Sequence, residues 1–271
     1  MAKFADKVII VTGASSGIGQ STAELLAKEG AKVAITGRSE KGLEETKQLM
    51  LKAGGNEEKI LTIAADVTNE EDTKRIVAET VKKFGKLDIL VNNAGAGTME
   101  GYPDSSIAQP LLVYDYINNL NARSVIALCQ EAIPHLKASK GNIVNVSSIG
   151  SLRASPNFMY YQMAKAALDH FTRILAAQLA PEGVRVNVVN PGAIRTNWLA
   201  RTGIPQAAVD ALEKSWLNVW LPMRRVGEPI EIAKTIAFLA SDDASYITGQ
   251  MIVADGGAVI ATVPMPKDTS R

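Results

Sequence analysis

The chain has 271 residues, of which 46% are hydrophobic and 21% are charged, a balance that can bury a core and is too apolar for disorder. Its 29 basic and 28 acidic residues leave a formal net charge of +1, so we predict no nucleic-acid partner. The single cysteine, Cys129, excludes an internal disulfide framework, and no apolar run reaches the length of a membrane span. These features favour one cytoplasmic domain over residues 1–271 with no membrane partner.

Short β-branched runs alternate with longer helical patterns along the chain. Seven runs are predicted to be strands: Val8 to Val11, Val33 to Thr36, Ile60 to Ala64, Leu87 to Val91, Asn142 to Val146, Val184 to Val189 and Met251 to Val253. They are almost continuously hydrophobic, which indicates burial on both faces of a parallel sheet covered by crossover helices. The sequence therefore predicts an α/β doubly wound Rossmann fold with a seven-stranded parallel sheet.

The helical patterns end at glycines, which are frequent at helix C-termini. One helix is predicted from Gln20 to Glu29 and another from Asn69 to Phe84, closed by Gly30 and Gly85 respectively. Further helical patterns run from about Tyr116 to Ala138 and from Phe158 to Ala180.

A glycine-rich loop joins the first strand to the first helix, with the sequence Thr12-Gly13-Ala14-Ser15-Ser16-Gly17-Ile18-Gly19. Gly13 permits a tight turn, Gly17 lets the main chain approach a pyrophosphate, and Gly19 allows close packing of helix on strand. A plain turn is the alternative, but the strand–loop–helix context favours a dinucleotide site. The predicted contacts are Gly13, Ser15, Ser16, Gly17, Ile18 and Gly19.

The second strand ends without the acidic residue that usually selects NAD, since the sequence there is Thr36-Gly37-Arg38-Ser39. Arg38 can pair with a 2′-phosphate and stack on adenine, so NADP(H) is favoured over NAD(H), with Ser39 beside it. A solvated Arg38 is the alternative. After the third strand, Asp66 and Val67 are predicted to contact the adenine, although Asp66 could equally cap the following turn.

Three further motifs lie at the ends of predicted elements: Asn92-Asn93-Ala94-Gly95, the pair Tyr161-x-x-x-Lys165 with Ser148 thirteen residues before the tyrosine, and Asn190-Pro191-Gly192. Together with the glycine loop they give the chain a resemblance to the short-chain dehydrogenase/reductase family, with a lean toward its tropinone-reductase-like and nematode-type members. The resemblance extends from Val8 to about Gly257.

The chemistry of the tyrosine and lysine can be argued from their spacing. Residues four apart share a helix face, so the Lys165 ammonium can lie beside the Tyr161 phenol. A phenol has a pKa of about 10, and a charge about 5 Å away supplies roughly 3 of the roughly 4 kcal/mol that would bring it to neutrality; an oxidised nicotinamide adds a second charge. Tyr160 lacks this spacing, so Tyr161 is the predicted acid–base group. Ser148 is predicted to bind the substrate oxygen.

The resemblance implies further roles. It implies that Asn121 is a fourth catalytic residue that holds a water relaying protons from Lys165, although Asn118 and Asn119 are close competitors. It implies that Lys165 also binds the nicotinamide ribose and that the helices at 116–138 and 158–180 pair between subunits of a homotetramer or dimer. Other cofactor contacts implied are Asn93, Ala94, Gly95, Tyr161, Pro191, Gly192, Ile194 and Thr196.

A long connection at about 194–226 contains all three tryptophans and is predicted to be a substrate-loop insertion, either a lid or a small satellite core. The residues Trp198, Trp216, Leu217, Trp220, Ile149 and Leu152 favour an apolar or bulky ketone or secondary alcohol. The alternatives are a non-catalytic NADPH-binding sensor or scaffold, and an epimerase, which normally needs a longer C-terminal domain. His135 and His170 have no metal-ligand partner in the pattern, so no metal is predicted.

Overall fold

The computed structural model describes residues 2–102, 107–198 and 221–261, together with the single positions 207, 210, 211 and 214. Within them, seven strands form one sheet: β1 Val8–Thr12, β2 Lys32–Gly37, β3 Ile60–Ala64, β4 Ile89–Asn92, β5 Asn142–Val146, β6 Arg185–Pro191 and β7 Met251–Ala254. The helices of that part are α1 Gly17–Lys28, α2 Glu40–Lys52, α3 Glu70–Phe84, α4 Leu111–Asn118, α5 Ser124–Ser139, α6 Met159–Leu179 and α7 Pro229–Ala240.

All strand pairs of the sheet are parallel, in the order β3-β2-β1-β4-β5-β6-β7. The predicted doubly wound α/β fold is confirmed, and the bounds of β3 and β5 are those predicted from the sequence. Because the strand order reverses between β1 and β4, the loops that follow these two strands diverge and leave a crevice at the carboxyl edge of the sheet.

The central strands β1, β4 and β5 bury both of their faces, whereas the edge strands β3 and β7 are partly exposed. In β1, Ile9 and Val11 belong to a core that includes residues of α1, α2 and α7, whereas Val8 and Ile10 belong to a second core with residues of α3, α5 and α6. Strand side chains alternate between faces, so a continuous apolar run packs against a layer of helices on each face of the sheet. This arrangement holds the strand ends, and the loops attached to them, in fixed positions.

The helix ends follow the local signals of the sequence. The Asn69 side chain accepts hydrogen bonds from the backbone N–H groups of Glu71 and Asp72 at the start of α3, and Gly85 closes the helix with a φ of +81°. Gly30 likewise has a φ of +89°, two residues after α1. Glycine adopts this left-handed conformation without the steric cost of a Cβ atom.

The helical pattern predicted from about Tyr116 to Ala138 is interrupted. A wider, π-helical turn at Asn119–Arg123 separates α4 from α5. Its cause is local: the Asn121 side-chain Nδ2 donates to the Ile117 carbonyl at 2.9 Å, the carbonyl to which the backbone N–H of residue 121 would bond in a continuous α-helix. The turn holds the Asn121 side chain toward the loop that follows β4.

Most of the predicted insertion at 194–226 lies outside the described residues, including Trp216, Leu217 and Trp220. The choice between a lid and a satellite core therefore stays a prediction. No helix within the described ranges has the length and apolar character needed to cross a bilayer.

Candidate active site

A cavity of about 830 Å³ opens at the crevice between the loops after β1 and β4. The predicted cofactor contacts that line it are Ser15, Ser16, Ile18, Arg38, Ser39, Asp66, Val67, Asn93, Ala94, Gly95, Tyr161, Lys165, Pro191, Gly192, Ile194 and Thr196, with Gly13 and Gly17 of the glycine loop. Gly19 is the predicted contact that does not line it. One cavity thus brings together segments that are as far as 180 residues apart in the sequence.

The glycine loop lies against the loop that follows β4. Gly13 has a φ of +63°, and a Cβ atom there would lie 2.8 Å from the Ala94 Cα. Gly17 has a φ of +60°, and a Cβ on Gly19 would overlap the Gly13 carbonyl oxygen. Gly19 therefore packs helix against loop, which explains its absence from the cavity wall. The loop leaves the N-terminus of α1 open to the cavity, as a pyrophosphate requires.

Side chains of the Asn-Asn-Ala-Gly motif hold the two loops together. The Thr12 Oγ1 accepts hydrogen bonds from the backbone N–H groups of Asn93 at 2.9 Å and Ala94 at 3.0 Å. In return, the Asn93 Nδ2 donates to the Thr12 carbonyl at 2.9 Å. These bonds fix the mouth of the crevice, so the motif has a structural reason to follow β4.

The far end of the cavity carries the residues predicted to select the adenosine. Arg38 is exposed and lines this end, while the Ser39 Oγ accepts from the Gly42 N–H and caps α2. The Asp66 Oδ1 accepts from the backbone N–H and the hydroxyl of Thr68 at 2.9 and 2.8 Å. Asp66 thus has the turn-capping role that the sequence left open, and its position on the cavity wall is compatible with the adenine contact as well.

The candidate catalytic side chains meet at the opposite end. Tyr161 and Ser148 both line this end of the cavity, where the Ser148 hydroxyl acts to lower the pKa of Tyr161, and the Lys165 Nζ lies 5.6 Å from the centre of the Tyr161 ring. Lys165 donates to the Val146 carbonyl at 2.9 Å. By contrast, the Tyr160 hydroxyl donates to the Gln109 carbonyl. The geometry thus brings together the three side chains chosen from the sequence and directs the neighbouring tyrosine elsewhere.

Burial dominates the ionisation of these groups. It raises the pKa of Tyr161 to about 12, although the Ser148 hydrogen bond acts in the lowering direction. Burial also lowers the pKa of Lys165 to about 8. Burial thus opposes the shift toward neutrality expected from the lysine charge, because removing the phenolate from water raises the pKa of Tyr161.

Asn121 lies directly behind this group. Its Nδ2 donates to the Ala96 carbonyl at 2.9 Å, and its buried Oδ1 has no hydrogen-bond partner among the described residues. A Cβ on Gly95 would lie 2.6 Å from that Oδ1 and 3.3 Å from the Lys165 Nζ. Glycine at position 95 therefore lets Asn121 and Lys165 approach the cavity from the same side.

The competing asparagines point away from this position. The Asn118 Nδ2 donates to the Tyr114 carbonyl one turn earlier at 2.9 Å. The Asn119 Oδ1 accepts from Arg123 at 3.4 Å. Of the three, Asn121 is the one whose side chain, like the Lys165 Nζ, lies against Gly95.

Trp198 forms the wall next to the tyrosine. Its ring centre lies 5.6 Å from that of Tyr161 and 5.4 Å from that of Phe158. A Cβ on Gly97 would overlap the indole, so the loop after β4 makes room for this ring. Two residues proposed to shape the pocket are placed differently, since Ile149 packs against a small separate cluster and neither it nor Leu152 lines the cavity.

Several lining residues escaped the sequence reasoning: Gly97, Thr98, Glu100, Tyr116 and Asn197. Tyr116 lies on α4, and the others lie on loops with no regular pattern, where only Gly97 carried a usable signal, as a glycine two residues beyond the Asn-Asn-Ala-Gly motif. The described part of the chain contains no group of three or more His, Cys, Asp or Glu side chains placed to hold a metal ion.

A doubly wound sheet whose crevice combines a glycine loop with a paired tyrosine and lysine defines a nicotinamide-dependent oxidoreductase. Comparison with known proteins agrees. Residues 13–259 match the family model described as Enoyl-(Acyl carrier protein) reductase. The chain belongs to the short-chain dehydrogenase/reductase family.

The relatives include proteins of nematodes and bacteria. A Caenorhabditis elegans short-chain dehydrogenase/reductase of unknown function, solved with cofactor, is 44% identical, with a TM-score of 0.92 over 96% of this chain and 97% of that one. A glucose dehydrogenase of Caenorhabditis elegans in the apo form is 45% identical, with a TM-score of 0.81 over 95% and 99%. Glucose 1-dehydrogenase of Gluconobacter oxydans is 38% identical over 95% of this chain and 94% of its own length.

Proposed function

We propose that the chain is an NADP(H)-dependent carbonyl reductase or alcohol dehydrogenase that interconverts a ketone and a secondary alcohol. The observation that carries the proposal is the grouping of Ser148, Tyr161 and Lys165 on the wall of one cavity, whose other end is lined by the glycine loop. A non-catalytic NADPH sensor would have no need of this group.

The residues present fit a dinucleotide. Gly13 and Gly17 leave space for the pyrophosphate at the N-terminus of α1, where unpaired N–H groups and the helix dipole favour an anion. Lys165 would hold the nicotinamide ribose, and Ile194 and Thr196 would contact the carboxamide and phosphates. A Cβ on Gly17 would lie 3.2 Å from the Thr196 Cγ2, so this second loop reaches the glycine loop. When bound, the cofactor supplies or accepts the hydride.

The protein's own groups handle the substrate oxygen and its proton. In reduction, Tyr161 donates a proton to the carbonyl oxygen, and in oxidation it removes the proton from the alcohol. Ser148 donates a hydrogen bond to the same oxygen as negative charge develops on it. The Lys165 ammonium favours the phenolate form of Tyr161, and Asn121 lies where it can hold the water that returns protons to Lys165.

NADP(H) is proposed over NAD(H) because Arg38 lies exposed at the adenosine end, where the chain offers no carboxylate at the end of β2. A guanidinium pairs well with a phosphate and also stacks on a purine. Asp66 lies after β3 and is already engaged with Thr68.

The proposed substrate is an apolar or bulky carbonyl compound, because Trp198 presents aromatic surface beside Tyr161. Two of the relatives are named as glucose dehydrogenases, so sugars belong among the compounds to be tested. We also propose a homotetramer or dimer formed through α4 to α6, a single domain over residues 1–271, and a cytoplasmic location consistent with the single cysteine.

The test is consumption of NADPH by the purified protein across a panel of ketones, aldehydes, quinones, β-ketoacyl thioesters and aldoses, repeated with NADH. We expect turnover of at least one bulky ketone, with NADPH preferred. Cofactor binding without turnover of any compound would favour the sensor, and turnover of aldoses alone would overturn the proposed substrate class.

A further inference from the structure

A buried carboxylate that the proposed reaction does not use lies on the same helix as the tyrosine and lysine. Asp169 is four residues after Lys165 and eight after Tyr161 on α6, and it is buried. Residues at these spacings share one face of a helix. All three side chains therefore lie on one face of α6, which packs against β6 and against Ile149–Ser151, the serine turn that follows Ser148.

Asp169 is joined to the other elements of the site through Asn190. Its Oδ2 accepts a hydrogen bond from the Asn190 Nδ2 at 2.8 Å. The same Nδ2 lies 3.2 Å from the Ser148 carbonyl and 2.9 Å from the Ser151 Oγ. Asn190 also lies near the end of β6, just before the loop that carries Ile194 and Thr196. One amide thus links the helix of the tyrosine, the backbone of the serine and the end of β6.

The Asp169 carboxylate is only partly satisfied. Its Oδ1 is buried and has no hydrogen-bond partner among the described residues. A buried carboxylate with so few donors destabilises the folded state. Of the charges in the described structure, it is the one that acts on both catalytic groups, raising the pKa of Tyr161 and the pKa of Lys165.

Other ionisable groups near α6 are engaged elsewhere. Arg123 pairs with Glu70, and Arg185 donates to the carbonyls of Leu239 and Ser241. The remaining titratable or charged side chains on the elements packed against α6 are Tyr114, Asp115 and Tyr116 of α4, Arg153 after the serine turn, and Glu182 before β6.

We propose that Asp169 is a positioning residue of the active site: its charge supports the Lys165 ammonium, and its bond to Asn190 holds the Ser148 backbone against the helix that carries Tyr161. The proposal rests on the proposed function. The Asp169 carboxylate thus has two effects: through Asn190 it holds the Ser148 backbone in place, and through its charge it stabilises the Lys165 ammonium.

The first test is the pH profile of alcohol oxidation by Asp169→Asn, a variant that keeps an acceptor for Asn190 and loses the charge. The pH dependence of oxidation reports the ionisation of Tyr161 and of Lys165 in the complex with oxidised cofactor, whose positive charge would lower the pKa of Tyr161. The negative charge of Asp169 raises both pKa values, so its removal lowers both. We expect both limbs of the kcat/KM profile to move to lower pH by about one unit.

The second test needs no turnover. The pH dependence of acetylation of Lys165 by acetic anhydride, measured by mass spectrometry without cofactor, reports the lysine titration directly. We expect it to move to lower pH in Asp169→Asn. If the wild type reduced no carbonyl compound, the proposed function would be wrong, and this measurement would still decide the role of Asp169.

Asp88→Asn is the matched control. Asp88 is another buried carboxylate, bonded to the Val8 N–H at 2.7 Å and paired with Lys86, outside the cavity. We expect it to lower the melting temperature without moving either titration. Asp169→Ser, which also keeps an acceptor, is measured if Asp169→Asn does not fold.

Three outcomes would overturn the proposal. A lower rate with unmoved pH limbs would make Asp169 purely structural. An equal shift in Asp88→Asn would make the effect unspecific. Failure of both Asp169 variants to fold would place its role in the stability of the domain.

Discussion

The two ends of the cavity are built differently. The cofactor end is shaped by backbone geometry, with Gly13 and Gly17 in left-handed conformations and Thr12 and Asn93 bonding loop to loop. At the substrate end, side chains form the surface, and the indole of Trp198 packs beside Tyr161. Backbone geometry determines the shape of the cofactor end, and aromatic side chains determine the shape of the substrate end.

This difference separates what each end can recognise. Backbone N–H groups at a helix N-terminus bind any pyrophosphate, so the cofactor end specifies a class of ligand. At the substrate end, side chains such as the Trp198 indole form the wall beside Tyr161, and side-chain identity can select among substrates. Mutations at the two ends should therefore separate cofactor binding from turnover.

The largest effect is expected from Tyr161→Phe. Loss of the phenol hydroxyl removes the group that exchanges a proton with the substrate, so kcat should fall by about 1,000-fold. NADPH affinity, measured by fluorescence titration, should change little because the ring remains. Tyr160→Phe is the matched control, since that hydroxyl bonds the Gln109 carbonyl; a comparable loss of kcat in the control would contradict the assignment of Tyr161.

The next largest effect is expected at the cofactor end, from Gly13→Ala. A methyl group there would lie 2.8 Å from the Ala94 Cα and would strain a φ of +63°, so NADPH affinity should fall by about 10- to 100-fold. Gly54→Ala carries the same backbone strain at a φ of +99° with no atom within 4 Å of the new methyl. Isothermal titration calorimetry that found equal losses in both variants would show that contact with the second loop is unimportant.

The sequence predicted the cofactor end better than the substrate end, for a physical reason. Gly13 and Gly17 are needed by the backbone itself, so their spacing is visible in the chain. The turn around Asn121 was missed, because it arises when a side chain takes the Ile117 carbonyl, and helix periodicity does not record that competition. Glu100 and other loop residues also line the cavity, but their positions depend on how the chain folds, and no local sequence pattern marks them.

The ionisation of Tyr161 shows the same limit. Its spacing from Lys165 could be read directly from the sequence, but its burial could not, and burial determines the direction of the pKa shift. Ile149 was also misplaced for the pocket, because sequence proximity to Ser148 does not specify the direction of a side chain in the short turn that follows.

A moderate effect is expected from Arg38→Ala, within the cofactor end. Loss of a charge-assisted bond to the 2′-phosphate should weaken NADPH binding by about tenfold and leave NADH binding nearly unchanged. Steady-state kinetics with the two cofactors measures the ratio. Lys41→Ala is the control, because Lys41 is an exposed cation on the same helix–loop region that does not line the cavity. An unchanged preference in Arg38→Ala would contradict the phosphate contact.

The smallest effect is expected from Gly97→Ala, where the two ends meet. The new methyl would overlap the Trp198 indole and displace it, so the KM for a bulky ketone should rise by about threefold to tenfold while NADPH affinity is retained. In a Trp198→Ala background the methyl meets no ring, so the same substitution should add nothing. A double-mutant cycle of kcat/KM measures this coupling. Additive effects would mean that Gly97→Ala does not act through Trp198, and Gly97 would then belong to the cofactor end of the cavity.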